Sequence, residues 1–222
     1  MEDGKVMINV IYEDNHLLVV VKPIGVPVQA DNSGDVDFLS MLKEYIKKKY
    51  NKPGNVYLGL VHRLDRPVSG IMVFAKTSKA AKRLSSQIAS HEFKKSYYAV
   101  VCGDIESSGV YKDKLSKNSK LNKSFVSKDG KDAELSFVKK GFKNGFSLVD
   151  INLKTGRSHQ IRVQFSHHGF PLYGDQKYND NTPLDDIALF AYKLEFFHPT
   201  THEILSFFAP IPSKYPFNLY KN

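Results

Sequence analysis

Residues 62–70, HRLDRPVSG, place one carboxylate, Asp65, between Arg63 and Arg66 and close with Pro and Gly before the apolar run IMVFAK. A carboxylate in this setting can serve as an acid, a base or a nucleophile, and its neighbouring cations can bind a polyanion. The structural alternative is a surface ion pair in which Asp65 only neutralises one of the two arginines. The segment alone leaves both interpretations open.

Several familiar catalytic motifs are suggested by this chain but are incomplete. HRLD and VFAK resemble parts of a protein kinase, yet they occur in the wrong order and Gly70 lies where a metal-binding Asn is expected. The chain has no G-x-S-x-G segment, which disfavours a hydrolase triad. His198 and His202 flank a Pro-Thr-Thr turn rather than lying on a helix, which disfavours a zinc site.

The elements that must position these residues alternate short strands with a few helices. We predict a helix from about Val36 to Tyr50 with Asp35 as its N-cap, a second helix that begins at Ser78, and a third within TGRSHQIRVQFSHHG that ends at Gly169. The predicted strands are MINVIY, HLLVVVKP, GIMVFAK, KSYYAVVCG, DAELSFVKK and FSLVDINLK, followed by a hairpin through HPTTH.

Residues 112–131 differ from the rest in composition, with seven Lys against two Asp and almost no apolar periodicity. One interpretation is a solvated loop, and the other is a flexible basic finger that contacts phosphates. The two are compatible. The candidate phosphate contacts are Lys114, Lys117, Lys120 and Lys123.

The overall charge indicates a polyanionic partner, and RNA or DNA is the leading candidate. There are 32 Lys and Arg against 23 Asp and Glu, a formal net charge of +9. The single cysteine, Cys102, has no partner for a disulfide, which suits a reducing cytoplasm. No apolar stretch approaches the ~20 residues needed to span a bilayer, so we expect no membrane association.

Locally connected strands with helices interspersed irregularly favour an α+β fold with a largely antiparallel sheet. Hydrophobic residues make up 41% of the chain, enough for a substantial core, and no linker-like segment marks a boundary. We therefore predict one domain over residues 1–222, with no room for an S4-like RNA-binding domain before its first motif.

Five segments in order resemble motifs of the RluA family of RNA pseudouridine synthases. They are EDNHLLVVVKPIGVPV, HRLDRPVSG, KKSYYAVVCG, LKTGRSHQIRVQFSHHGFPLYGDQKY and FFHPTTHEILSFFAPIP. Together they extend over about residues 8–212. One such match is weak evidence, whereas five in the family's order and spacing are strong.

The resemblance implies a mixed, largely antiparallel sheet with flanking helices and a central catalytic cleft, and isomerisation of uridine in RNA without a metal or organic cofactor. Asp65 matches the family's catalytic aspartate, Tyr97 the tyrosine against the target base, and Arg162 the arginine that pairs with the aspartate. Arg63 matches an arginine that enters the RNA stack as the uridine leaves it. Further RNA contacts are assigned to His62, Arg66 and Arg157. No protein partner is required.

The chemistry is consistent with a single carboxylate. Hydrolysis of a glycosidic bond usually needs two carboxylates. A uracil that is detached, retained and rejoined through C5 needs one ionised group, a pocket for the base and an acceptor for the C5 proton. Asp65 can be the first, and Tyr97 can form part of the pocket and accept the proton. A guanidinium from Arg162 would keep Asp65 ionised in a dry pocket.

One position departs from the family pattern, which usually has Thr before Ser-Gly where this chain has Val68. The hydroxyl of that threonine is therefore absent. A second class of function stays open, an RNA-binding or ribosome-assembly module with a synthase-like fold and secondary catalysis. The biological effect of such a module would not depend on the Asp65 carboxylate. The sequence does not identify the modified uridine or distinguish ribosomal from transfer RNA.

Overall fold

The computed structural model describes residues 7–221. By its internal contacts the chain divides into two compact units. The first comprises the residues up to Phe93 together with Lys193–Ala209, and the second comprises Lys94–Tyr192 and the residues from Pro210 onward. The prediction of one catalytic domain over residues 1–222 stays a prediction.

Eleven strands, three α-helices and a short 3₁₀ helix follow one another along the described residues. In chain order they are β1 (Asn9–Glu13), β2 (Leu17–Lys22), α1 (Phe38–Lys49), β3 (Gly59–Leu60), β4 (Ser69–Ala75), α2 (Ser78–Ala89), β5 (Lys94–Cys102), β6 (Ser108–Asn118), β7 (Lys123–Val126), β8 (Lys131–Lys143), β9 (Phe146–Leu153), α3 (Gln160–His167), β10 (Leu189–Phe197), β11 (Ile204–Phe208) and the 3₁₀ helix, Phe217–Tyr220. Within residues 7–221, no helix is long and apolar enough to cross a membrane.

In the first unit, β2 pairs with β1 on one side and β4 on the other, and every pairing is antiparallel. The apolar runs of β2 and β4 are buried without alternation, as expected of strands covered on both faces. Helix α1 covers one face with Phe38, Leu42 and Ile46, and the Phe38 ring meets the Phe74 ring edge-on at 6.0 Å. This packing fixes β4, which follows the Asp65 segment directly.

Helix α1 begins two residues later than predicted, and its N-cap is Asp37 rather than Asp35. The Asp37 carboxylate accepts bonds from the backbone N–H of Ser40 at 3.0 Å and from the Ser40 hydroxyl at 2.7 Å. Asp35 instead pairs with Arg66. Both acids are good N-caps, and tertiary bonds decide between them, because the first helical N–H, that of Phe38, donates to the Pro27 carbonyl.

The predicted hairpin through HPTTH is confirmed by antiparallel pairing from Lys193↔Phe208 to Phe197↔Ile204. His198 organises its turn: Nδ1 accepts from the backbone N–H of Thr200 and Thr201, and Nε2 bonds Asp14 at 2.9 Å. Both ring nitrogens are thus used inside the fold. The zinc interpretation of the two histidines gains no support from this arrangement.

In the second unit, the strands follow the order β5-β9-β8-β6-β7, again with antiparallel neighbours. Helix α3 packs on one face of these strands, where Phe165 contacts Tyr111 and Phe137 with ring centroids 5.2 and 5.4 Å apart. The predicted α+β class with largely antiparallel pairing is confirmed. Gly169 follows the helix at φ 85°, as predicted for its C-terminal stop.

The lysine-rich segment is not a loop. Strands β6 and β7 form a hairpin within it, with Leu115 opposite Val126. Leu115 is buried, but the residue that faces the same side two positions earlier is Asp113, which accepts bonds from Gln164 at 2.8 Å and His168 at 3.1 Å. An acid at an inward position interrupts the alternation, so the strand pattern was not visible in the sequence.

Candidate active site

Asp65 lies at the start of a tight turn in the first unit. The backbone N–H of Val68 donates to the Asp65 carbonyl at 3.0 Å, which closes the turn through Arg66 and Pro67. The flanking Leu64 and Val68 are buried, whereas Asp65 itself is half-buried. The apolar Val68 side chain fits this packing, and the turn is held by backbone bonds that need no threonine hydroxyl.

A buried lysine binds the backbone carbonyls of the Asp65 turn. Lys22, the last residue of β2, is fully buried, and its ammonium donates to the carbonyls of Pro23 at 2.8 Å, Arg66 at 3.1 Å and Val68 at 2.8 Å. Burial lowers the pKa of Lys22 to about 8, Arg66 adds to the effect, and the nearby Asp65 carboxylate opposes it. The turn therefore carries its carboxylate next to a buried cation.

The arginines on either side of Asp65 have different surroundings. Arg66 is bound inside the unit: its Nε donates to the Gly25 carbonyl at 3.0 Å and its guanidinium pairs with Asp35. Arg63 is exposed and makes no hydrogen bond or ion pair with any residue between 7 and 221. Of the two, Arg63 therefore presents its whole guanidinium to solvent.

His62 is anchored to the strand that follows the turn. Its Nε2 accepts a bond from the backbone N–H of Val73 at 3.1 Å, and its ring lies 5.4 Å from the Phe93 ring. These contacts favour a role in holding the Asp65 segment against β4. A contact of His62 with RNA stays a prediction.

Tyr97 lies on β5 in the second unit, where it pairs with Ile151 of β9 and is buried. The next residue, Tyr98, faces the opposite side, since side chains alternate along a strand. There the Tyr98 ring stacks on Tyr192 at 4.0 Å. The stacked Tyr98 ring and the pairing with β9 fix the β5 backbone from which Tyr97 projects.

Arg162 lies on α3 and forms a bidentate ion pair with Asp175. Its Nε donates to Oδ2 at 2.9 Å and a terminal nitrogen to Oδ1 at 2.7 Å, and both side chains are buried. The Arg162 guanidinium also lies over the Tyr178 ring, 5.1 Å from its centroid. A planar guanidinium with this many contacts is fixed in orientation.

Tyr178 contacts other groups besides the Arg162 guanidinium. The Lys123 ammonium lies 5.3 Å from the Tyr178 centroid, and the Tyr178 hydroxyl accepts from the backbone N–H of Ser124 at 2.8 Å. His159 Nδ1 bonds the same hydroxyl at 2.7 Å. The β6–β7 hairpin, which carries the predicted lysines, is therefore joined to the element that carries Arg162.

The remaining predicted RNA contacts are exposed. The side-chain ammonium groups of Lys114, Lys117 and Lys120 make no ion pair or hydrogen bond with any described residue. The Nε of Arg157 donates to the Asp132 carbonyl at 2.9 Å, which fixes that exposed side chain at the loop before α3. These positions are exposed cations of the second unit.

The structure groups His62, Arg63, Asp65 and Arg66 in one segment of the first unit, and Arg162 and Lys123 around one ring of the second. Sequence reasoning missed Lys22 and Asp175. A lysine at the end of an otherwise apolar strand was a usable signal for Lys22. The sequence contained no signal for Asp175 except the preceding Gly174, which lies in a turn with a φ of 73°. The predicted pairing of Arg162 with Asp65 stays a prediction.

Comparison with known proteins gives a consistent result. The family described as RNA pseudouridylate synthase matches residues 16–167. Ribosomal large subunit pseudouridine synthase C of Buchnera aphidicola subsp. Schizaphis graminum is 32% identical over 216 residues, which make up 91% of this chain and 67% of that protein. The uncharacterized RNA pseudouridine synthase YlyB of Bacillus subtilis is 36% identical over 211 residues, 92% of this chain and 69% of that protein.

Among solved structures, human RNA pseudouridylate synthase domain containing 1 has a TM-score of 0.75 at 26% identity and covers 96% of this chain and 88% of its own. The chain spans about two thirds of the length of the two bacterial relatives. The family match includes the Asp65 turn, β5 and the whole of α3, and the relatives align over nine-tenths of the chain. The chain belongs to the RNA pseudouridylate synthase family.

Proposed function

We propose that this protein isomerises uridine to pseudouridine in ribosomal RNA of the large subunit, with Asp65 as the catalytic carboxylate. The observation that carries the proposal is the Asp65 turn, which a buried lysine ammonium holds through the carbonyls of Arg66 and Val68. A carboxylate in a fixed position can engage the nucleoside as uracil is detached from its ribose. The names of the relatives support ribosomal RNA as the substrate class.

The other assignments follow the same chemistry. Tyr97 is held rigidly on β5, where it faces the base and accepts the C5 proton. Arg162 orients the carboxylate site, and its pairing with Asp175 keeps it in place. Arg63 and the hairpin lysines contact RNA, and the cytoplasm is the place of action.

The experiment that identifies the substrate is pseudouridine mapping of total RNA from cells with and without the gene. We expect at least one ribosomal pseudouridine to disappear with the gene and to return with wild-type protein. Return of that site with Asp65→Asn would refute the catalytic assignment. An unchanged map would favour the RNA-binding or assembly module instead.

A further inference from the structure

Lys95 lies two residues before Tyr97 on β5. Because side chains alternate along a strand, both face the same side, roughly 7 Å apart along the chain. Their partners on β9 are Leu153 and Ile151. A lysine therefore accompanies the tyrosine on the face that we assign to the target base.

Lys95 is half-buried, and its amine has no hydrogen-bond or ion-pair partner among residues 7–221. Burial alone lowers the pKa of Lys95. Other lysines of the same unit do have carboxylates, as in the pairs Lys139–Asp104 at 2.7 Å and Lys140–Asp150 at 3.3 Å. A partly buried cation without a partner is unfavourable for the folded protein alone. An anion bound to the Lys95 ammonium would offset this cost.

The loop beside Lys95 leaves room for such an anion. A Cβ atom added to Gly156 would lie 3.1 Å from the Lys95 nitrogen, so the bare backbone of this glycine is what keeps the amine uncrowded. The next residue, Arg157, is exposed. The Lys95 amine on β5 thus lies beside the loop that precedes α3, and that loop carries a second cation, Arg157.

We propose that the Lys95 ammonium binds a backbone phosphate of the nucleotide whose base lies against Tyr97, and so positions that nucleotide for isomerisation. This rests on the proposed function. The base and the phosphate of a nucleotide lie on opposite sides of its ribose. Two residues that face the same side of a strand, one strand repeat apart, can therefore contact the base and the phosphate of one nucleotide. A charge-assisted bond from the ammonium to a non-bridging oxygen satisfies the lysine and fixes the nucleotide.

The test uses Lys95→Met, which keeps the length and apolar body of the side chain and removes its charge. Without RNA, the thermal midpoint is expected to equal or exceed that of wild type, because an unpaired, partly buried cation has been removed. Affinity for a fluorescein-labelled single-stranded oligouridylate, measured by anisotropy, should fall about tenfold. The slope of log affinity against log salt should fall by about 0.7, the value for one phosphate contact on a single strand.

Two variants act as controls. Lys95→Arg should retain most of the affinity and the slope, since a guanidinium also binds phosphate. Lys139→Met removes a lysine that has its own carboxylate and should leave both quantities as in wild type. An unchanged affinity and slope in Lys95→Met would overturn the proposal. A weaker affinity with an unchanged slope would assign the amine to a base or a sugar and would also overturn it.

A measurement on the wild-type protein does not depend on how the variants fold. Acylation of lysine amines, followed by mass spectrometry, should show Lys95 protected by the oligouridylate, and an unprotected Lys95 would contradict the proposal. Release of tritium from [5-³H]uridine in RNA of gene-deleted cells separates the two claims. Binding through Lys95 without release would refute the isomerase, whereas release with an indifferent Lys95 would refute only this inference.

Discussion

At the scale of single residues, the two arginines around Asp65 illustrate how contacts separate roles that the sequence leaves equal. Arg66 binds Gly25 and Asp35 through its guanidinium, whereas Arg63 makes no bond to any described residue. A guanidinium can stack on bases and bond to their edges, which an ammonium does not match. We therefore propose Arg63 as the residue that fills the space left by an extruded uridine.

We predict that Arg63→Lys loses base insertion while Arg66→Lys retains it. A 2-aminopurine placed beside the target uridine should brighten when wild-type protein extrudes that uridine, because it loses a stacking neighbour. The rise should be largely absent with Arg63→Lys. Equal rises for wild type and Arg63→Lys, with weaker binding only, would assign Arg63 to the phosphate backbone instead.

Lys22 gives a prediction with a defined pH range. Its pKa is about 8 in the folded protein and near 10.5 in the unfolded chain, so between these values the unfolded state binds more protons. The free energy of unfolding of wild type should therefore rise relative to that of Lys22→Met as the pH increases from 8 to 10.5, by about 2–3 kcal/mol in total. Urea unfolding of both proteins at several pH values measures this. A constant difference would show that Lys22 is not desolvated.

At the scale of elements, Glu13 at the end of β1 is bonded to two other parts of the first unit, the end of α1 and the residue after β4. Its carboxylate accepts bonds from Lys49 at 2.7 Å, Lys76 at 2.8 Å and Tyr50 at 2.8 Å. Burial raises the pKa of Glu13, but these bonds outweigh burial and lower it to about 2. Strand β1, helix α1 and the end of β4 are thus held by one ionised group.

Because the folded pKa is the lower one, the stability that Glu13 contributes is fully present above pH 4.5 and is lost as the pH falls toward 2. We expect Glu13→Gln to lower the free energy of unfolding at pH 7 by about 1–3 kcal/mol and to flatten its decline below pH 4.5. Glu44→Gln, at an exposed position of α1, is the control. Equal effects of the two changes in urea unfolding would contradict the assignment.

The β6–β7 hairpin gives a prediction for RNA binding. Each phosphate contact contributes up to about 0.9 to the slope of log affinity against log salt. Changing Lys114, Lys117, Lys120 and Lys123 together to Gln should flatten that slope in anisotropy titrations. The control changes four lysines of or near α1, Lys43, Lys47, Lys48 and Lys52, with the same loss of charge. Equal flattening by the two sets would show that the slope depends on net charge alone, and would contradict phosphate contacts by the hairpin lysines.

At the scale of the whole molecule, hydrophobic periodicity and the positions of Gly, Pro and capping residues predicted most of the helices and strands. Strands without charged interruptions, such as β2 and β4, were predicted within one or two residues because burial on both faces leaves a continuous apolar run. The hairpin of β6 and β7 was missed because Asp113 faces inward on a bond to Gln164, which no sequence period reveals. The cap of α1 was misplaced because Pro27, distant in the chain, decides between two aspartates.

The candidate site was predictable to the extent that it rests on motifs. Asp65, Tyr97 and Arg162 were assigned from five ordered segments, but the groups that hold them were not. Lys22 acts through backbone carbonyls, and Asp175 through a pair formed between a helix and a later turn. Such contacts depend on the fold rather than on spacing, so only the structure could reveal them.

The central claim is that one carboxylate carries the isomerisation, and Asp65→Asn tests it most directly. The amide keeps the shape of the side chain and cannot act as an ionised group. The measurement is tritium release from [5-³H]uridine in ribosomal RNA of gene-deleted cells, with RNA affinity measured beside it. We predict that release falls by about 100-fold or more while affinity stays within a few fold of wild type. Release at a tenth of the wild-type rate or faster would contradict the account.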